Sequence, residues 1–162
     1  MLDGAVHNYD FGNWLFGDPV DVVASSIKLS PRSATDTATA IVRYPKGDQL
    51  MLSWTWSTPG SELSDALGPK AGVVFGPGKF ADQANAKGKA YYCVTDIKGN
   101  SKLVQSRKMF NSMYENQAKH FLACINKEVK CQSPGNKAIK AVAVAEAILK
   151  VAPRGGKRTV RW

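Results

Sequence analysis

Asp3, His7 and Asp10 are the residues of this chain whose types and spacing could do chemistry. On a helix, positions i, i+4 and i+7 stack three proton-handling side chains on one face. A carboxylate within reach of an imidazole orients the ring and raises its basicity, as general acid–base chemistry near neutral pH requires. The bare D-x-x-x-H-x-x-D pattern also describes a hydrogen-bonded helix face, and on pattern alone that plainer reading is the stronger one. The same trio could hold a divalent ion, but one short helix rarely supplies a full ligand set, so no metal site is expected. A motif that starts at the third residue is what the back half of a larger protein would show.

No other segment competes as a catalytic centre. Gly72 to Phe80 looks like a phosphate loop, but five residues separate the first glycine from Gly78-Lys79, and Phe80 stands where Ser or Thr is needed. No G-x-G-x-x-G lies between a strand and a helix, so the chain shows no Rossmann fingerprint. Two histidines and no nucleophile elbow leave no Ser-His-Asp or Cys-His arrangement to assign. His120, between Lys119 and Phe121, reads as structural or solvent-facing. The three cysteines (Cys93, Cys124 and Cys131) form no paired C-x-x-C. They are expected to be small, partly buried thiols in a reducing, cytoplasmic setting; Cys124 and Cys131 could pair only if the turn between them brought them close, which is not expected.

The chain has 162 residues, 44% hydrophobic and 22% charged, as expected for one globular domain spanning residues 1–162. It shows no apolar run of membrane-spanning length and no signal peptide. The net charge is +9, from 22 Lys and Arg against 13 Asp and Glu. The basic residues are scattered, so a solvated surface is the better reading and a nucleic-acid partner a minority one.

The elements that must position the trio follow from periodicity. Gly4 to Phe16 reads as a short helix ended by Gly17 and Pro19. The period then drops to two, with strands over Val20 to Leu29, Thr37 to Tyr44 and Gln49 to Ser57, the last two joined by the Pro45-Lys46-Gly47-Asp48 turn. Trp54 and Trp56 alternate on the last strand and so fill the core or form an exposed aromatic face. Thr58 to Lys70 reads as a loop with a helical turn near Glu62 to Leu67. Ala71 to Phe75, Lys89 to Ile97 and Lys102 to Gln105 read as strands, the last two a hairpin. Asn111 to Lys127 and Gly135 to about Val151 have helical spacing, and Lys157 to Trp162 could add an edge strand. The expected fold class is α+β: a mainly antiparallel open sheet with the two C-terminal helices packed on one face.

The stretch Asp3-Gly4-Ala5-Val6-His7-Asn8-Tyr9-Asp10, followed by Trp14-Leu15-Phe16-Gly17, resembles a signature of the glucose-fructose oxidoreductase / inositol dehydrogenase (Gfo/Idh/MocA) family. The resemblance runs on through Ala40 to Gly47, Ser53-Trp54-Thr55-Trp56, Glu115 to Ile125 and Ala138 to Leu149, covering essentially the whole chain. It implies a dihydrodipicolinate-reductase-like C-terminal domain that supplies substrate contacts and an oligomer interface. In the family an N-terminal Rossmann domain holds NAD or NADP, and hydride passes between nicotinamide and a carbon of a sugar, polyol or related substrate. By the match, His7 is the acid–base residue, Asp3 assists it, and Asp10 binds or orients substrate.

The Rossmann half and its Glu-Lys-Pro lysine are missing from this chain. It is therefore expected to bind no cofactor and to be inactive alone, while assembling as a homo-oligomer through the open sheet face. The alternative is a stand-alone, non-catalytic binding or self-association module.

Overall fold

The computed structural model describes residues 4–27, 36–56, 64–76, 79–80, 90–106 and 110–162. The elements are α1 (Val6–Phe16), β1 (Asp21–Ile27), β2 (Thr37–Arg43), β3 (Gln49–Thr55), β4 (Asp65–Leu67), β5 (Ala71–Phe75), β6 (Ala90–Asp96), β7 (Ser101–Ser106), α2 (Phe110–Ile125), α3 (Gly135–Val151) and β8 (Gly156–Thr159). They fall into two compact units. The described residues of 1–59 and 132–162 make the first, and those of 60–131 make the second.

The first unit is a four-stranded antiparallel sheet in the order β3-β2-β1-β8, with α1 and α3 on one face. Period-two patterning dictates this. Val22 lies opposite Val42, which lies opposite Leu50, and Ala24, Ala40 and Leu52 form the next row on the same face. These side chains and Trp54 meet Ala5 and Tyr9 of α1 and Ala141, Val144, Ala145 and Ile148 of α3 in one core. The alanine-rich stripe of α3 lets it approach the sheet closely, where each apolar side chain removed from water contributes roughly 25 cal/mol per Å². On the other face Val23, Ile41 and Met51 form a row. Hydroxyl pairs flank it, Thr37 with Thr55 at 2.8 Å and Thr39 with Ser53 at 3.2 Å.

Asp21, only 7% exposed, is the one buried charge among the described residues. It accepts from Arg43 Nε at 2.6 Å and sits 3.0 Å from Lys157 Nζ. Burial pushes its carboxyl up, but the hydrogen bonds and charges of Arg43 and Lys157 outweigh this and hold it below the usual carboxylate range.

The second unit is another four-stranded antiparallel sheet, β4-β5-β6-β7, together with α2. The β6–β7 hairpin closes on Asp96, whose carboxylate accepts from the Lys98 and Asn100 amides at 2.8 and 2.9 Å and from the Asn100 side chain. Gly99 takes the positive φ of 84° that this turn needs.

The α+β class with antiparallel sheets is as expected, with three departures. The helices packed in the first sheet's core are α1 and α3, with Ala5, Tyr9 and Gly12 of α1 turned inward, whereas α2 falls in the second unit. Asp65–Leu67 is a strand rather than part of a helical turn, since it pairs with Val74, Val73 and Gly72 of β5. Glu62 and Leu63 of that expected turn, and the 58–61 loop before it, lie outside the described residues. The edge strand expected over Lys157 to Trp162 forms as β8, one residue earlier and ending at Thr159, paired with β1 at the sheet edge.

Candidate active site

Helix α1 is fixed from beneath and free above. Tyr9 is fully buried, and Gly12 packs so closely that a Cβ there would lie 2.5 Å from the Tyr44 hydroxyl. Gly4, just before the helix, is pressed on the Trp54 ring in the same way. The Tyr44 hydroxyl donates to Asn13 Oδ1 at 3.1 Å, tying the helix to the end of β2. Gly17, at φ 91°, ends the helix by donating its N–H to the Asn13 carbonyl at 3.0 Å. Burial pushes the phenols of Tyr9 and Tyr44 well above their usual range, so both stay protonated.

The outer face carries His7, Asp10 and Trp14, at i, i+3 and i+7. All three are exposed, Trp14 to 76%. Asp3 lies outside the described residues, so the pairing expected of it with His7 is not part of this geometry. Asp10, Asn13, Trp14, Gly17 and Asp18 form one wall of a cleft of about 440 Å³, and Gln132, Ser133, Lys137 and Lys140 form the other. His7 is one turn before Asp10 and is not among the lining residues.

The second wall is the start of α3, whose dipole favours negative or electron-rich groups. Lys140 is held there by Asp18 at 2.6 Å and lies over the Trp162 ring at 5.0 Å. Asn13 Nδ2 has no hydrogen-bond partner among the described residues. The cleft therefore offers a carboxylate, an amide donor, an indole face and two ammonium groups around one space, a set suited to a small polyhydroxylated or anionic molecule.

Sequence reasoning singled out Asp10 and missed Lys137 and Lys140, which stand more than 120 residues further along. No spacing rule links them to α1. The tie is the packing of α3 beside α1 in the shared core. Trp54 and Trp56 also divide: Trp54, in β3, packs against the core, and Trp56, just past the strand, is 61% exposed, with the rings edge-to-face at 5.8 Å.

A second cluster overturns an expectation. The sequence reads His120 as a structural or solvent-facing histidine and Cys124 and Cys131 as thiols not expected to pair. Their ligand atoms instead lie within 4.8 Å of one another, with His120 Nε2 and Cys124 Sγ 3.5 Å apart. The cause is the chain reversal after α2, described below.

An α+β domain with antiparallel sheets, helices on one face and a cleft at the helix ends is a class shared by many proteins. The comparisons identify this one. The model of the Gfo/Idh/MocA oxidoreductase family's C-terminal alpha/beta domain matches residues 1–160, and the chain belongs to that family. No curated protein matches the sequence.

Among solved structures, the chain resembles an oxidoreductase from Agrobacterium radiobacter in complex with NAD+, L-tartaric acid and magnesium, at TM-score 0.76 and 17% identity, covering 98% of this chain and 48% of that one. It resembles the aldose-aldose oxidoreductase from Caulobacter crescentus complexed with glycerol at TM-score 0.76 and 19% identity, covering 96% of this chain and 45% of that one. A dehydrogenase from Bordetella pertussis in complex with NADH and UDP-GlcNAcA matches at TM-score 0.59 and 16% identity, over 98% of this chain and 44% of that one. The chain thus spans about half the length of these structures. No helix among the described residues is long and apolar enough to cross a membrane.

Proposed function

We propose that this chain is the substrate-side domain of an NAD(P)-dependent oxidoreductase acting on a sugar, polyol or related hydroxy compound. The observation that supports the reading best is the cleft that runs along the α1 face, with Asp10, Asn13 and Trp14 on one side and Lys137 and Lys140 on the other. Asp10 accepts from a substrate hydroxyl, Asn13 Nδ2 and the lysines donate, and the indole of Trp14 covers the C–H face of a ring. His7, on the same helix face and open to solvent, takes the proton from the reacting hydroxyl or returns it to the carbonyl, and Asp3 steadies its charged form.

The described residues do not fit a dinucleotide. Every named strand pairing in both sheets is antiparallel, whereas the crevice that holds NAD(P) forms at the carboxyl ends of parallel strands. NAD or NADP is therefore assigned to a separate dinucleotide-binding domain, and the chain alone is inactive. The test supplies NAD(P)+ and a panel of sugars and polyols to the chain alone and to the protein in which it is joined to such a domain. Reduction of the cofactor is expected only in the second. Turnover by the chain alone, or none by the joined protein with any compound, contradicts the reading.

The second part of the proposal is self-association. The face of the first sheet opposite α1 and α3 carries the Val23, Ile41 and Met51 row, with the Thr39–Ser53 and Thr37–Thr55 hydroxyl pairs on one side and Asp21, Arg43 and Gln49 on the other, an apolar centre with polar neighbours as in protein–protein interfaces. Static light scattering is expected to give a dimer or larger, and a monomer mass at high concentration contradicts this.

A further inference from the structure

Helix α2 ends in a reversal that folds the chain back on itself. The Lys127 amide donates to the Cys124 carbonyl at 3.1 Å, and the Glu128 amide reaches back five residues to the Ala123 carbonyl at 2.9 Å. That pair of bonds is the Schellman pattern, and its left-handed position is filled by Lys127 at φ 61°, the only positive φ outside glycine among the described residues. Glycine or asparagine is the usual occupant, since a Cβ is strained there. The reversal is what returns Cys131 to Cys124. His120 and Cys124, at i and i+4, already share one helix face, the spacing by which a helix offers two ligands to one ion.

Three donors therefore converge: an imidazole nitrogen and two thiol sulfurs, all within 4.8 Å. A tetrahedral zinc with Zn–N and Zn–S bonds of ordinary length needs N···S edges of about 3.5 Å and S···S edges of about 3.8 Å. The His120 Nε2 to Cys124 Sγ distance of 3.5 Å is already at that edge length. Cys131 is exposed and follows the turn, so a change of rotamer brings its sulfur the remaining ångström or so. The donor set is soft, with no carboxylate oxygen in it, which disfavours magnesium and calcium.

We propose that His120, Cys124 and Cys131 form a binding site for a zinc-type divalent cation. Two thiolates and a neutral imidazole balance the ion's charge. Three protein ligands leave a fourth position for water or an outside ligand, and the exposure of Cys131 leaves an open entry path.

The test uses the full chain, reduced and free of oxygen, titrated with Co2+ as a spectroscopic stand-in for Zn2+. The expected result is a thiolate-to-cobalt charge-transfer band in the near ultraviolet with visible bands of a four-coordinate ion. Both saturate at one ion per chain and are bleached by Zn2+. Cys124→Ser, Cys131→Ser and His120→Ala each weaken binding by more than the roughly 10–100-fold that changes to outer-shell partners cost. Cys93→Ser leaves it unchanged, because that thiol is buried in β6. In the unaltered chain Zn2+ also slows alkylation of Cys124 and Cys131, a readout that does not depend on how a variant folds. The proposal is overturned if no thiolate band appears, if Cys93→Ser loses it as Cys124→Ser does, if Zn2+ gives no protection, or if Cys124 and Cys131 stand as a disulfide under these reducing conditions.

Discussion

Helices α1 and α2 each carry one of the chain's two histidines, and they use it in opposite ways. On α1, His7, Asp10 and Trp14 lie in a line along one exposed face. A line of side chains on a single helix converges on nothing within that helix. It becomes a site only where a second wall faces it, and the start of α3 provides one with Lys137 and Lys140. On α2, two donors share a face and the third returns through a turn, so the three close on one point. The difference is whether the partners arrive by packing or by a local reversal. The first makes a cleft for a molecule, and the second a pocket for an ion.

If packing is what makes the α1 cleft, the largest effect should come from the core beneath it. Ile148 of α3 is fully buried in the cluster that also holds Tyr9 of α1. Ile148→Ala is expected to lower unfolding stability by about 2–5 kcal/mol in denaturant titration, through lost burial and the cavity left behind. A loss under about 1 kcal/mol would mean that α1 is not held by this core.

A smaller effect should come from the buried charge. Asp21 has a depressed folded pKa, so its contribution is complete above the ordinary carboxylate value of about 3.9 and is lost as pH falls through the folded value. Asp21→Asn should lower stability at neutral pH by about 1 kcal/mol, allowing for the partly exposed Arg43 and the exposed Lys157. Its stability should also fall less than that of the unaltered chain on acidification below pH about 4. An unchanged acid limb would remove Asp21 as the titrating group.

The two helices also show which parts of the molecule can be read from sequence. Alternation in β1 to β3 and the helical spacing of α1 and α3 were legible, because a single buried face writes its period into the chain. The β6–β7 hairpin was legible for the same reason, with Lys98-Gly99-Asn100 marking its turn. Which helix covers which face was not, since that depends on tertiary packing: Gly4 and Gly12 admit α1 close to Trp54 and Tyr44.

Asp10 was legible through a family signature, whereas Lys137 and Lys140 were not, being joined to it only through space. The cysteine cluster was missed because the reversal rests on Lys127 in a left-handed conformation that its residue type does not announce. The His120-x-x-x-Cys124 spacing was the available signal. Two thiols with six residues between them and no C-x-x-C spacing do not by themselves announce a shared site.

Whether the α1 face does the proton chemistry of a hydroxy-compound oxidoreductase is tested by His7→Gln in a protein that joins this domain to a dinucleotide-binding one. With a polyol that the unaltered protein turns over, kcat is expected to fall by about 10²–10⁴-fold while KM changes little. An unaltered kcat would contradict this.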